Sequence, residues 1–344
     1  NNLFFFKMWS TILYNFAFLN NKDIYMRTIR KYMQVGIAGS VLLLLQACGG
    51  EEKVTYQDPA DPNSGWQLVW FDEFTDNNID TEKWSWVTDC WGGGNNELQC
   101  YTDRPDNSYI DDGKLIIKAK KEYFTGPNYP EGYSEDWDWG ITMAENYPRD
   151  YTSARLRTKD KGDWKYGRIE VRAKLPYGQG IWPAIWMMPT DEIYGGWASS
   201  GEIDIMEAIN LNTNSASHNI HGTIHFGGEW PNNRHAGAHI TLQDSNPTTE
   251  FHTYTIDWAE DKMRWYVDGI HYGTQIANHW YTDNPIGSSF APFDQRFHLI
   301  LNVAVGGQWP GNPNASTQFP QTMEVDYVRV YSCPDSPNTL TSCQ

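Results

Sequence analysis

Residues 262–270 read Lys-Met-Arg-Trp-Tyr-Val-Asp-Gly-Ile, and this stretch carries the strongest local signal for the fold. Polar and apolar side chains alternate through residues 262–267, as expected when one face of a β-strand is buried and the other is exposed. The dipeptide Asp268-Gly269 follows, and it favours the tight turn of a two-residue β-hairpin. The stretch therefore predicts two antiparallel strands joined at Asp268 and Gly269.

The same alternation recurs along the chain, with Gly, Asn and Asp turns in between. It is found in residues 114–119, 167–175, 253–258 and 324–331. No segment between them has the apolar period of an amphipathic helix. We therefore predict one large all-β domain over residues 65–332, a two-sheet β-sandwich of the jelly-roll type with a concave cleft. The long loops at residues 125–146 and 191–200 should form rims around that cleft.

The most chemically suggestive segment is Gly-Glu-Ile-Asp-Ile-Met-Glu-Ala at residues 201–208. In an extended strand Glu202 and Asp204 share one face, whereas Ile203 and Ile205 point into the apolar layer. Strict alternation would bury Glu207, which is costly for a lone carboxylate. A one-residue β-bulge near Met206 would return Glu207 to the face of the other two acids.

Three carboxylates on one face raise one another's pKa and destabilise the fold, so their clustering suggests a chemical use. Retaining glycosidases need one ionised carboxylate as nucleophile and one protonated carboxyl as acid, and crowding separates the two pKa values. Glu202 and Glu207 can take these roles, with Asp204 between them. The alternative is an acidic, solvated strand edge without chemistry.

The chain resembles glycoside hydrolase family 16, and in particular its laminarinase and β-1,3(4)-glucanase branch, from about residue 66 to residue 331. The resemblance rests on the acidic strand and on several separate segments, at residues 94–99, 152–155, 180–187, 221–225 and 325–331. It implies that Glu202 is the nucleophile, Asp204 an assisting acid and Glu207 the acid/base of an endo-acting retaining hydrolase. With its extra residue at Met206, the acidic strand resembles the bulged strand of laminarinases. This resemblance implies a glucan with β-1,3 linkages. No catalytic cofactor is expected.

Further site residues follow from the family's pattern and from chemistry. Trp182 and Trp186 lie four apart in an extended segment, so both can stack on sugar rings, although Trp186 could equally pack in the core. The expected substrate contacts are Asn95, Asn96, Arg157, Trp182, Trp186, His221, His225, Asn302 and Trp309. The resemblance also implies a structural calcium ion held by Glu73, the carbonyl of Gly113 and Asp326, for which hard oxygen ligands are suited. The alternative is that these are plain surface acids.

Composition limits the partners. The 43 acidic residues outnumber the 26 basic ones and give a net charge of -17, which argues against nucleic acid or a strongly sulfated polysaccharide. Aromatic residues make up 15% of the chain, including 17 Trp. These residues fit a neutral polysaccharide that stacks on aromatic rings, or simply an aromatic sandwich core. We expect a monomer that binds β-glucan.

The amino terminus is typical of an exported protein. Basic residues Arg27, Arg30 and Lys31 precede an apolar run at residues 35–45, which is too short to span a bilayer as a stable helix. Residues 45–48, Leu-Gln-Ala-Cys, resemble the lipobox of bacterial lipoproteins, so Cys48 is the predicted lipidation site. An ordinary signal peptide is the alternative.

These features divide the chain into four parts. We expect residues 1–47 to comprise a start-site artefact and a signal peptide, with Met26 as the start. Residues 48–64 form a tether, and residues 333–344 form a tail after the domain. The predicted location is the bacterial outer membrane or cell surface, with membrane contact only through the lipid.

Four cysteines remain once Cys48 is set aside, an even number that suits disulfides in an exported protein. Of the three connectivities, we favour the local pairs Cys90–Cys100 and Cys333–Cys343. Free thiols remain an alternative.

Two rival functions stay open. A family 16 galactanase of the agarase, porphyranase or carrageenase type should carry more basic residues in its cleft than this acidic chain offers. A non-catalytic β-glucan-binding protein would not need Glu202, Asp204 and Glu207.

Overall fold

Antiparallel strands form nearly all the regular structure of the computed structural model, which describes residues 55–130, 143–213 and 218–344. Within these ranges the only helix is one 3-10 turn, Ala277–His279. No helix in the described parts is both long and apolar enough to cross a membrane. The signal segment, Cys48 and the middle of the 125–146 loop lie outside the described residues.

One sheet has ten strands, in the order β16-β15-β14-β9-β18-β5-β6-β3, with β1 also pairing with β18 and β4 with β5. Its strands are β1 (Gln67–Asp72), β3 (Gln99–Tyr101), β4 (Ser108–Asp111), β5 (Lys114–Gly126), β6 (Tyr147–Ser153), β9 (Gly167–Lys174), β14 (His252–Trp258), β15 (Lys262–Val267), β16 (Ile270–Ile276) and β18 (Gln321–Ser332). All of its pairings are antiparallel except the parallel one between β3 and β6.

The other sheet has eight strands, in the order β13-β12-β11-β10-β17-β7-β2, with β8 pairing with β17. Its strands are β2 (Ser85–Val87), β7 (Arg155–Arg157), β8 (Asp163–Trp164), β10 (Ile181–Pro189), β11 (Glu202–Glu207), β12 (Asn219–Gly227), β13 (Asn233–Thr241) and β17 (Phe297–Val305). Glu202, Asp204 and Glu207 all lie on β11, so this sheet carries the candidate site.

The strand predictions are confirmed. Every alternating segment lies in a strand except for Leu175, which follows the end of β9, and β5 and β18 extend well beyond the predicted limits. The hairpin also forms as predicted, because Val267 pairs with Ile270. Asp268 and Gly269 have positive φ values of 50° and 75°, as a type I′ turn requires.

The core lies between the sheets and consists of inward-facing residues from both, including Ile117, Ile169 and Ile203. Trp265 of the predicted hairpin crosses this core, and its Nε1 donates to the backbone oxygen of Asp204 at 2.8 Å. A Cβ at Gly222 would lie 2.3 Å from Trp265 Cδ1, so only glycine allows this close approach. The ten-stranded sheet therefore helps to fix the position of β11 through the hydrogen bond from Trp265 to Asp204.

Both ends of the domain are more ordered than the sequence predicts. Residues 55–64 were expected to belong to a free tether, but Tyr56 donates to Glu170 at 2.6 Å and packs its ring 4.4 Å from the Arg168 guanidinium. Its ring covers a buried cation that pairs with Asp257. An aromatic cover over a buried ion pair does not show in local sequence pattern.

The carboxyl-terminal segment packs in a similar way. The disulfide Cys333–Cys343 closes it, and Leu340 is buried with Trp66 in a small second cluster. The predicted pair Cys90–Cys100 is also formed. Both bonds have the local connectivity that the sequence favoured, and residues 333–344 pack against the domain.

Candidate active site

The predicted bulge is present on β11. Asp204 pairs with Thr223 of β12 and Glu207 pairs with His221, so three steps on β11 match two on β12. Ile205 and Met206 are both buried as a result. Glu207 therefore returns to the outward face with Glu202 and Asp204, which we call the catalytic face.

Two indole groups hold the outer acids. Trp197 Nε1 donates to Glu202 Oε2 at 2.7 Å, and Trp182 Nε1 donates to Glu207 Oε1 at 2.9 Å. Each carboxyl is thus oriented by an indole N–H, a donor that carries no charge of its own. Trp182 was a predicted contact, whereas Trp197 was missed within the correctly predicted rim loop at residues 191–200.

Asp204 lies deeper, with only 2% of its side chain exposed. Its Oδ2 lies 3.4 Å from His225 Nε2, and the same nitrogen lies 3.7 Å from Glu202 Oε1. His225, which was predicted to contact substrate, therefore lies beside two of the three acids.

The acids differ in proton affinity. Burial, with the negative charge of Asp204, raises the pKa of Glu202 to about 7. Burial, with the charges of both Asp204 and Glu202, raises the pKa of Glu207 well above its usual range. Burial alone would lower the pKa of His225, but the carboxylates outweigh it and raise that pKa to about 9. Near neutral pH Glu207 is therefore the protonated acid, and Glu202 is the one that can ionise.

Aromatic rings surround Glu207. Trp182 meets Trp309 edge-on at a centroid distance of 5.3 Å, and His221 meets Trp309 at 5.2 Å. Burial lowers the pKa of His221, so this ring is neutral near pH 7. Asn95 adjoins the group, since its backbone oxygen accepts from the amide of Gln308 at 2.8 Å. Four predicted contacts are thus brought together at this end of the face.

Hydrogen-bonded side chains extend from β10 to β17 and β3, beside the acidic strand. Trp186 Nε1 donates to Asn302 Oδ1 at 2.6 Å, and Asn302 Nδ2 donates to the Tyr101 hydroxyl at 3.0 Å. Trp186 is half-buried and pairs across the strands with Asp204, so it lies on the catalytic face. Arg155 lies 5.4 Å from the Trp186 ring and 4.0 Å from Glu97.

Arg155, Glu97 and Tyr101 were not assigned roles from the sequence. Gln99 Nε2 donates to Glu97 at 2.7 Å, and Arg155 packs 4.3 Å from the Tyr101 ring. The positive charge of Arg155 also opposes the rise in the pKa of Glu202. The signal available in the sequence was that Glu97 and Arg155 lie in two of the segments that resemble the family, residues 94–99 and 152–155.

Two predicted contacts lie away from the acids. Asn96 is exposed in a turn with a φ of 58°. Arg157 lies on β7, which β10 and β17 separate from β11. Their roles stay predictions.

The calcium residues do not form an open oxygen site. Glu73 accepts from Arg329 through both carboxylate oxygens, at 2.7 and 2.9 Å, and Asp326 accepts from Arg172. Gly113 lies in the turn between β4 and β5. Because arginines already neutralise both carboxylates, this arrangement does not fit a calcium ion, and no step of the mechanism uses one.

Comparison with known proteins decides the family. The sequence model of the family described as "Glycosyl hydrolases family 16" matches residues 95–329 of the chain. The chain belongs to glycoside hydrolase family 16. The glucan endo-1,3-β-glucosidase A1 of Niallia circulans is 42% identical over 293 residues, 82% of this chain but only 40% of that protein. The β-glucanase of Rhodothermus marinus is 41% identical over 80% of this chain and 88% of its own length.

The solved structures agree with this assignment. The laminarinase of Rhodothermus marinus matches with a TM-score of 0.62 and 39% identity, over 77% of this chain and 97% of that one. The predicted family 16 membership, the β-sandwich and the glycosidase class are confirmed.

The role of Trp182 can be tested by two substitutions. Trp182→Ala removes both a stacking ring and a hydrogen-bond donor to Glu207. We expect kcat/KM on laminarin to fall by a factor that corresponds to a loss of about 1 to 3 kcal/mol in transition-state stabilisation. Trp182→Phe loses the N–H but keeps an aromatic ring, although a smaller one, so it should retain more activity. Unchanged kinetics together with a lower Tm would instead make Trp182 a packing residue.

Proposed function

We propose that the protein is an endo-acting retaining glycoside hydrolase that cleaves β-1,3-glucan such as laminarin, mixed-linkage β-1,3-1,4-glucan, or both. The observation that carries this proposal is the pair Glu202 and Glu207. They share one face, each is held by an indole N–H, and burial together with the neighbouring carboxylates raises the pKa of both.

In the first step Glu207 gives its proton to the departing glycosidic oxygen while ionised Glu202 attacks the anomeric carbon. The C–O bond to the leaving sugar breaks, and an ester bond to Glu202 forms. Glu207, now ionised, then takes a proton from water, whose oxygen displaces Glu202 and regenerates both acids. Two displacements return the anomeric carbon to its original configuration.

The neighbouring residues prepare these groups. Asp204 adds to the rise in both pKa values, so it helps to keep Glu207 protonated. The cationic His225 beside Glu202 and Asp204 opposes that rise and favours ionised Glu202. Trp182 and Trp309 offer rings to glucosyl units near Glu207. Trp230, 76% exposed, is a further aromatic residue next to Trp197, to whose backbone oxygen its amide donates at 3.3 Å.

A substrate panel tests the proposal. The purified protein should release reducing ends from laminarin, lichenan or both, and products of several lengths should appear early because cleavage is internal. Agarose should not be cleaved. Activity on agarose or a sulfated galactan without activity on either glucan would favour the galactanase alternative, and tight glucan binding without products would favour a binding protein.

Export and anchoring are a separate part of the proposal. We infer a signal peptide, lipidation at Cys48 and a place at the bacterial outer membrane or cell surface, supported by the sequence of residues 27–48. A fatty-acid analogue should label the wild type and not Cys48→Ser. Equal labelling of both would show that the lipid is elsewhere. A monomer remains our expectation. Because Arg329 and Arg172 already pair with Glu73 and Asp326, we do not expect added calcium to raise the Tm.

A further inference from the structure

Three side chains around the nucleophile converge on one point. One ligand atom from each of Glu202, Asp204 and His225 lies within 4.8 Å of the other two. Among the described residues this is the only group of three or more His, Cys, Asp or Glu with that spacing. It combines an imidazole nitrogen with two carboxylate oxygens.

The two distances from His225 to the acids suit a metal ion better than direct hydrogen bonds. His225 Nε2 lies 3.4 Å from Asp204 Oδ2 and 3.7 Å from Glu202 Oε1. Charged hydrogen bonds in proteins are usually about 2.7 to 2.9 Å long. A tetrahedral zinc ion with ligands at about 2.0 to 2.2 Å places neighbouring ligand atoms about 3.3 to 3.6 Å apart.

Asp204 supplies an independent reason. Its Oδ2 is buried and has no hydrogen-bond partner, although only 2% of the side chain is exposed. Protonated His225 lies 3.4 Å from this oxygen without forming a hydrogen bond to it, and a buried carboxylate oxygen without a hydrogen bond is costly. A zinc ion that displaces the His225 proton would satisfy it. The same oxygen faces His225 Nε2, so it is aimed into the group.

We propose that Glu202, Asp204 and His225 bind a zinc ion and that zinc is thereby a reversible inhibitor of the enzyme. An imidazole with two carboxylates is a ligand set typical of zinc, whereas calcium and magnesium take oxygen ligands alone. Glu202 and His225 keep 16% and 22% of their side chains exposed, which leaves a path from solvent for the ion and a fourth ligand.

Zinc on Glu202 would occupy the oxygen that attacks the anomeric carbon. Zinc and glucan should therefore compete, so that zinc raises the apparent KM for laminarin and leaves kcat unchanged. This inhibition rests on the proposed function. The binding of zinc does not, because it depends only on the three ligands.

Binding is measured by calorimetric titration of the purified protein with zinc chloride, together with the change in Tm. We expect the wild type to bind one zinc ion in this group and to gain Tm. His225→Gln should weaken the affinity at least about tenfold, as loss of a ligand requires. Glu202→Gln should weaken it too, which covers the case in which His225→Gln fails to fold.

The matched control is His239→Gln. His239 is exposed on β13, and its ring faces His221 at 5.4 Å, so a surface histidine pair could also hold zinc. We expect this variant to bind zinc like the wild type. Zinc affinity lost in His239→Gln but kept in folded His225→Gln and Glu202→Gln, or no binding to the wild type, would overturn the site. Zinc bound through His225 without competition against laminarin would contradict the proposed function and leave the metal site standing.

Discussion

Glu202→Ala should reduce laminarin hydrolysis by on the order of 10⁴-fold or more, because it deletes the atom that forms the bond to the sugar. The fold should survive, since Glu202 sits on the outward face of β11 and Ile203 and Ile205 anchor the strand in the core. Removing one of three crowded acids also relieves charge repulsion, so we do not expect the Tm to fall.

Rescue of Glu202→Ala by azide shows whether the deleted carboxylate was the nucleophile. It can occupy the space left by the carboxylate and attack an activated β-glycoside directly, giving a glycosyl azide of α configuration. Glu250→Ala, which removes an exposed glutamate elsewhere, is the control and should behave as the wild type. Substantial glucan hydrolysis by Glu202→Ala, or a β-configured azide product, would show that another group is the nucleophile.

Glu207→Ala should fail in a different way. The nucleophile remains, but the proton donor to the departing sugar is lost. Hydrolysis of laminarin should fall strongly, whereas aryl glycosides with good leaving groups should still form the glycosyl-enzyme and then stall. Azide should release that intermediate as a β-configured product.

The pH profile gives a further check on Glu207. In the wild type kcat/KM should fall below pH about 7 as Glu202 becomes protonated, and fall again at higher pH as Glu207 loses its proton. Glu207→Ala should lose the alkaline limb when assayed on an activated substrate. Equal losses on laminarin and on aryl glycosides, with the alkaline limb intact, would rule out Glu207 as the acid/base.

Local pattern was enough to predict much of this architecture. Alternation along residues 262–267 and the Asp268-Gly269 turn fix a hairpin through short-range geometry alone. The bulge on β11 followed from the cost of burying Glu207, a constraint that also acts within a few residues. The short spacing of each cysteine pair made local disulfides the natural expectation.

The missed features depend on contacts between distant parts of the chain. Trp197 reaches Glu202 only because the 191–200 loop folds back over β11, and nothing in the loop's composition selects that indole. Arg155 and Glu97 meet across segments that are far apart in sequence. Tyr56 covers the pair formed by Arg168 and Asp257, which no periodicity reveals.

If Glu202 and Glu207 carry out a double displacement, the anomeric configuration of the substrate is retained in the product. Proton NMR of the wild type in the first minutes of laminarin hydrolysis, before mutarotation, measures this. The new reducing ends should appear first as the β-anomer, the configuration of the linkage that was cut. Initial release of the α-anomer would mean a single displacement by water and would contradict the assignment of Glu202 as nucleophile.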